Sequence, residues 1–448
     1  MKEEEGKEDK DDDIELFEED EKEEGPAPEK EKADRFRKLK IPTKKSRYES
    51  WKPYFDIVAH NYKRASRTEL NITNQLSNST FEKRVSGFNE LIRYRNEHPG
   101  ESIVIVSNHL SEADFIETMI YFLNNKERLL VQGGDNLFID DLSLANHYMG
   151  MNFNLDKFLK SKGAFQIIRN PKEVELNGEI KKLNTKDVLN INKSYLYNLV
   201  FESEMFLQYP GQSIVGKTLK QGRAYNGKIH SFSRAMFQLL IEASLFTESE
   251  IHIAPMNISY ESVLEDTIFK ELLWMKADGK SDREIYMHDI GHVMSEYINP
   301  ERKGKMCIKF GSPKPMGMEK FWRKYSLRKK AYSIKLANEY YNSVMSMQTP
   351  FPSNIFFAAL EGHKKLDERH LEEKILLITE IMNLRKADMH YLTHEGEYKQ
   401  PSKIIDESLE IFEPRGVVAR EKGEIISMMP YVTSQYANHI SFFLKNNE

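Results

Sequence analysis

A histidine and an aspartate stand five positions apart in Asn108-His109-Leu110-Ser111-Glu112-Ala113-Asp114, directly after the apolar run 103–106. That run reads as a buried strand, so a chain leaving it through Ser-Asn-His delivers an imidazole to a sheet edge. Asp114 opens a predicted helix, where the helix dipole favours a carboxylate, and the intervening turn lets it reach back to the ring. A general base acting on a hydroxyl needs such a pair. The imidazole takes the proton, and the carboxylate fixes its tautomer and stabilises the imidazolium. An alcohol deprotonated this way would attack a carbonyl such as that of a thioester. Spacing alone also describes a strand-end histidine bonded to a helix-capping aspartate.

Three more segments follow in order. GAFQIIR (163–169) puts Arg169 at the end of an apolar run after a glycine. QGRAYNGK (221–228) combines Gly222, Arg223, Gly227 and Lys228. Glycines let backbone approach an anion, arginine clamps a phosphate with two donors, and lysine adds a point charge. A phosphorylated acceptor would be held in this manner. Taken singly, the first is also an ordinary strand closed by a surface arginine, and the second an Asn-Gly turn with incidental basic residues. IAPMNISYE (253–261) reads as a buried strand with Pro255 at an irregular point, shaping a pocket floor.

These residues need a frame. Strand candidates lie at 103–106, 129–132, 205–209, 251–256 and 306–310, with helix candidates at 114–124, 193–204, 232–245 and 263–276. The alternation argues an α/β domain over 99–320. Residues 48–98 read as a helical accessory region and 321–448 as a helical C-terminal region, behind a tail at 1–47. No internal repeat is evident.

Charge is unevenly spread over the 448 residues. Residues 1–24 carry a net −11 while the whole chain carries −5, which leaves +6 on residues 25–448. The acidic tail reads as disordered and solvated. A basic cluster at 35–52, with Trp51 and Tyr54 beside it, suits either anionic headgroups or a plain solvated linker. No nucleic-acid module is recognisable. The single cysteine, Cys307, excludes an internal disulfide framework and suits a reducing, cytoplasmic setting. The first residues lack a basic and an apolar region, so no signal peptide is expected. No stretch approaches the roughly 18 apolar residues of a membrane-spanning helix.

Together the four segments resemble the glycerolipid acyltransferase superfamily. NHLSEAD resembles the NHxSxxD block of glycerol-3-phosphate acyltransferases and of their dihydroxyacetone-phosphate and lysophosphatidate relatives. LVQGGDNL (130–137) followed by GAFQIIRN resembles the second block, and KQGRAYNGK (220–228) lies on the EGxRSRxGK block without a gap. IAPMNISYE resembles the fourth block, and Tyr436-Ala437-Asn438-His439-Ile440 is similar to an element near the end of the glycerol-3-phosphate enzymes. The resemblance covers about 100–320 well and the C-terminal region weakly. It implies an α/β fold with a central mixed sheet flanked by helices. It implies acyl transfer from acyl-CoA or acyl carrier protein to glycerol-3-phosphate, with dihydroxyacetone phosphate or lysophosphatidate as alternative acceptors. His109 is then the base and Asp114 its partner, Arg169, Arg223 and Lys228 hold the acceptor phosphate, and Gly222, Gly227 and Pro255 line the site. No metal or cofactor is implied. The amphiphilic product implies peripheral membrane contact. The third block departs from the family, with Lys220-Gln221 for its opening Glu-Gly, Tyr225 for its second arginine, and an apparent insertion at 211–219. These changes bear on the acceptor, and they leave room for a non-catalytic lipid-binding relative.

The inserted stretch, Gly211-Gln212-Ser213-Ile214-Val215-Gly216-Lys217-Thr218, also fits the G-x-x-x-x-G-K-[ST] pattern of a phosphate loop. Such a loop should open a helix, yet Gly222 and Asn226-Gly227 would cut one within about two turns, and no strand ending in Asp offers a magnesium ligand. His288 and His292 stand four apart as zinc ligands on a helix would, but Gly291 weakens the helix and no third ligand is evident, so they read as surface histidines.

Overall fold

The run Ile103-Val104-Ile105-Val106 is β-branched throughout and buried on both faces, which selects a central strand. Around it, a computed structural model describes residues 51–59, 63, 67–134, 160–168, 173–176, 179–202, 206–210, 231–298, 304–318 and 328–444. Helices Phe55–Val58 (α1) and Arg67–Thr80 (α2) precede strand Glu82–Ser86 (β1) and helix Phe88–Glu97 (α3). Next come Ser102–Ser107 (β2), Ala113–Asn124 (α4), Leu129–Gly134 (β3), Ala164–Ile167 (β4) and the pair Glu173–Leu176 (β5) and Glu179–Lys182 (β6). Then follow Thr185–Glu202 (α5), Phe206–Pro210 (β7), Arg234–Thr247 (α6), Ile251–Tyr260 (β8), Phe269–Ala277 (α7) and Asp282–Ile298 (α8). Lys305–Phe310 (β9), Lys314–Pro315 (β10) and Lys329–Ser346 (α9) complete this part. Beyond it lie Pro352–Leu360 (α10), Lys365–Asp367 (β11), Glu368–Leu384 (α11), Thr393–His394 (β12), Glu397–Tyr398 (β13) and Pro401–Phe412 (α12). Val418–Glu421 (β14), Glu424–Ser427 (β15), Pro430–His439 (α13) and Ser441–Leu444 (α14) end the described chain.

The main sheet is mixed, in the order β1-β9-β8-β2-β7-β3-β4 with β10 also on β8. Strands β8, β2, β7, β3 and β4 run parallel, while β8 and β9 are antiparallel. The period of two along β2 sorts its side chains. Ile103 and Ile105 pack with Phe115, Met119, Phe122 and Met256 on one face. Val104 and Val106 pack with Leu196, Phe237, Leu240 and Val344 on the other. Each fully buried side chain of this kind contributes roughly 1.5–3 kcal/mol, so a register slip that exchanged the faces would disrupt both cores.

All five strand candidates are strands, with residue 205 of the third outside the described residues. Three differences from expectation have physical causes. The stretch read as helical between residues 50 and 99 also holds β1, whose sequence Glu-Lys-Arg-Val-Ser is that of a polar edge strand, paired among the described residues with β9 alone. The helix expected over 263–276 begins only at Phe269, because Glu265 spends its carboxylate on the turn after β2 and Asp266 spends its own on Arg415 and Tyr436. The C-terminal part is mainly helical but includes a three-stranded sheet, β11-β15-β14, too short to show as alternation.

Pro255 lies inside β8, between the residues that pair with β10 (252 and 253) and those that pair with β9 (256–260). A residue without an N–H fits where the neighbouring strand changes. Its carbonyl accepts from the Gly311 N–H at 2.8 Å. A Cβ at Gly311 would come within 2.7 Å of the Pro255 ring, so the crossing needs glycine. Among the described residues, no helix is long and apolar enough to cross a membrane.

Candidate active site

The chain leaves β2 through Asn108, whose side chain prolongs the sheet. Its Nδ2 donates to the Ile258 carbonyl at 2.7 Å and its Oδ1 accepts from the Ile258 N–H at 2.8 Å. This paired contact pins the following turn to β8 and holds His109 at the carboxyl end of β2. Ser111 follows in the turn, its Oγ accepting from the N–H of Ala113, the first residue of α4, at 3.0 Å.

Asp114, in the first turn of α4, is held from four directions. Its Oδ2 accepts from His109 Nδ1 at 3.0 Å, from the Leu110 N–H at 2.7 Å and from the Ser111 N–H at 3.2 Å. Its Oδ1 accepts from the Tyr260 hydroxyl at 2.6 Å. Tyr260 is buried, and burial, then the neighbouring carboxylate, push its phenol well above the ordinary value, so it remains a donor. A carboxylate on Nδ1 makes that nitrogen the protonated one and turns the Nε2 lone pair outward. The His109 side chain is 22 % exposed, whereas that of Asp114 is 5 % exposed. A buried orienting carboxylate beside a partly exposed imidazole is the arrangement of a general base.

The turn rests on a second carboxylate that sequence reasoning missed. Glu265, buried in the loop after β8, accepts from Ser111 Oγ and from the Glu112 N–H, each at 2.7 Å. Behind it, Arg415 contacts both oxygens of buried Asp266, at 2.7 and 2.8 Å. Tyr436 of α13 donates to Asp266 at 2.7 Å and accepts from the Val263 N–H at 2.9 Å. Burial raises the Asp266 carboxyl, and the Arg415 charge and the Tyr436 hydroxyl oppose that rise. One turn inside α4, Glu117 is buried with Lys83 at 3.1 Å, the Tyr297 hydroxyl at 2.8 Å and Ser77 Oγ at 2.6 Å. Buried charges are tolerated when paired and hydrogen-bonded in this way.

His439 of α13 is also buried. Burial pushes its imidazole down to about 4, so it stays neutral at physiological pH.

Of the residues singled out from sequence, His109 and Asp114 meet. Pro255 sits in the sheet beside Val106, within the strand where it was expected. Arg169, Gly222, Arg223, Gly227 and Lys228, and the stretch 211–218, lie outside the described residues. His288 contacts Glu271 at 3.2 Å, and His292 bonds the Leu264 carbonyl at 3.0 Å. Each of the two thus has a protein partner of its own. Tyr260 fell within the fourth segment, but its hydroxyl reaches Asp114 instead of only shaping a floor. Glu265, Asp266 and Arg415 carried no motif, and only the Tyr436-to-Ile440 resemblance hinted that α13 approaches the site.

Comparison with models of known protein families and with curated proteins gives no match.

Proposed function

We propose that this protein is an O-acyltransferase of the glycerolipid type, moving a fatty acyl group from acyl-CoA or acyl carrier protein to a hydroxyl of glycerol-3-phosphate. The observation that carries the reading is the His109–Asp114 contact, with Asp114 fixed by three further donors. In this reading His109 Nε2 takes the acceptor's hydroxyl proton as its oxygen bonds to the thioester carbonyl carbon. The tetrahedral intermediate collapses with cleavage of the C–S bond. The imidazolium returns the proton to the departing thiolate, so ester and thiol leave and the base is restored. No acyl-enzyme forms. Asp114 holds the tautomer and stabilises the imidazolium, and loss of such a partner costs about 10⁴ in rate in serine proteases.

Arg169, Arg223 and Lys228 anchor the acceptor phosphate in this reading, with Gly222 and Gly227 admitting it, on the strength of the sequence resemblance alone. The mixed sheet with helices on both faces supports assignment to the glycerolipid acyltransferase fold. Peripheral membrane contact follows from the amphiphilic acyl donor and product.

The test is thiol release from palmitoyl-CoA and palmitoyl-acyl carrier protein by the purified chain. Glycerol-3-phosphate, dihydroxyacetone phosphate and lysophosphatidate are offered in turn, with His109→Ala alongside. Release that needs an acceptor and vanishes in the variant supports the reading. Release that no acceptor stimulates, or that persists in His109→Ala, refutes it in favour of a lipid-binding or nucleotide-binding protein.

A further inference from the structure

The turn carries a second acidic side chain with no role in the scheme above. Glu112 Oε1 lies 3.8 Å from His109 Nε2, the nitrogen that faces the acceptor. Its position is fixed by the backbone, since its N–H donates to buried Glu265 and it immediately precedes α4. Its side chain is 12 % exposed. That separation is too long for a hydrogen bond, yet it places a negative charge where an anionic acceptor must bring its reacting end.

Two adjoining hydroxyls would span the gap. The attacking hydroxyl donates to Nε2 and its neighbour donates to Glu112, each over roughly 2.7–3.0 Å. A ketone beside the attacking carbon has no proton to give and would set an oxygen lone pair against the carboxylate. An acylated neighbour likewise lacks the proton. Charge repulsion keeps the acceptor's phosphate at the end away from Glu112. The neighbouring hydroxyl keeps its proton throughout, and only the attacking oxygen gains the acyl group.

We propose that Glu112 is a specificity-determining residue that reads a hydroxyl adjacent to the attacking one. This inference rests on the acyl-transfer reading and names the acceptor chemistry of that same site.

The experiment measures kcat/KM of the full chain with palmitoyl-CoA and three acceptors. They are glycerol-3-phosphate, 3-hydroxypropyl phosphate, which lacks only the middle hydroxyl, and dihydroxyacetone phosphate, which carries a ketone there. The wild type should prefer glycerol-3-phosphate over either by about 10²-fold or more, because a site built to bond a hydroxyl rejects analogues that lack it. Glu112→Ala should bring the ratios to within about threefold, and Glu112→Gln, which retains an acceptor oxygen, should fall between. A merely structural role would lower all three acceptors together and leave the ratios standing, and that result overturns the proposal. Equal use of the three by the wild type also overturns it while acyl transfer stands. Thiol release stimulated by none of them overturns both.

Discussion

Two histidine–carboxylate pairs stand at opposite ends of the same two strands. At the carboxyl end of β2, His109 meets Asp114 through Nδ1 and presents Nε2 at a partly exposed surface. At the amino end of β8, His252 is buried with both nitrogens engaged, Nδ1 with the Tyr94 hydroxyl at 2.6 Å and Nε2 with Glu101. The Tyr94 ring stacks on His98 at 4.0 Å, which closes that end further. Burial lowers the His252 pKa, and the Glu101 charge opposes the shift without cancelling it. A histidine beside a carboxylate is thus not in itself a catalytic device. What distinguishes the ends is where the carboxylate's other bonds go. Asp114 is fixed by the protein so that the ring can face outward, whereas Glu101 and Tyr94 together use up both ring nitrogens.

The sharpest way to break this comparison is to delete each imidazole. His109→Ala should lower kcat/KM for thiol release by at least about 10³-fold with little change in denaturant midpoint. His252→Ala should instead cost about 2 kcal/mol of stability and leave kcat/KM of the folded protein within about threefold. Similar activity losses at both ends would sink the distinction. Replacing the carboxylates probes it next. Asp114→Asn should cost roughly 10²–10⁴ in kcat, whereas Glu101→Gln should cost less than about threefold.

A third histidine sharpens the contrast between surface and interior. His439 lies in α13 with an imidazole held down to about 4 by burial. Its folded-state value lies below the ordinary 6.5 or so, so the unfolded chain takes the proton first and stability is lost as pH falls from about 6.5 towards 4. Chemical denaturation should show the wild type losing about 3 kcal/mol more than His439→Gln between pH 7 and pH 4. An equal loss in both would mean that the ring is not kept neutral by the fold.

The smallest effects separate the two tyrosines. Tyr260→Phe should lower kcat by about tenfold. Tyr94→Phe should cost about 1 kcal/mol of stability with no change in kcat.

Much of the frame was legible in the residues. Strands β2 and β8 announced themselves because β2 holds a continuous apolar run, β8 is rich in apolar residues, and both are buried on two faces. The His109–Asp114 pair was legible for a local reason, since both partners sit within one strand–turn–helix unit. Strand β1 was not, because an edge strand of charged residues has no apolar pattern to show. Val263, Leu264 and Ile268 have helical spacing, yet the loop that holds them is shaped by Glu265 and Asp266 reaching other elements. The donors to Asp114 and Glu265 were hidden by distance along the chain: Tyr260 stands 146 residues from Asp114, and Ser111 154 from Glu265. No local pattern encodes such contacts.

The reach of Arg415 and Tyr436 to Asp266, across 149 and 170 residues, has a consequence in time. During synthesis, β2, its turn and β8 leave the ribosome long before α13 exists. Domains fold from the first-made end, and distant contacts form only after the intervening loop is closed. Until residues 415 and 436 arrive, Asp266 lacks both the Arg415 charge and the Tyr436 hydroxyl, and the loop that carries Glu265 lacks its support from the C-terminal part. The nascent chain therefore holds its histidine and aspartate early but acquires a rigid site late, as one of the last events of its own making.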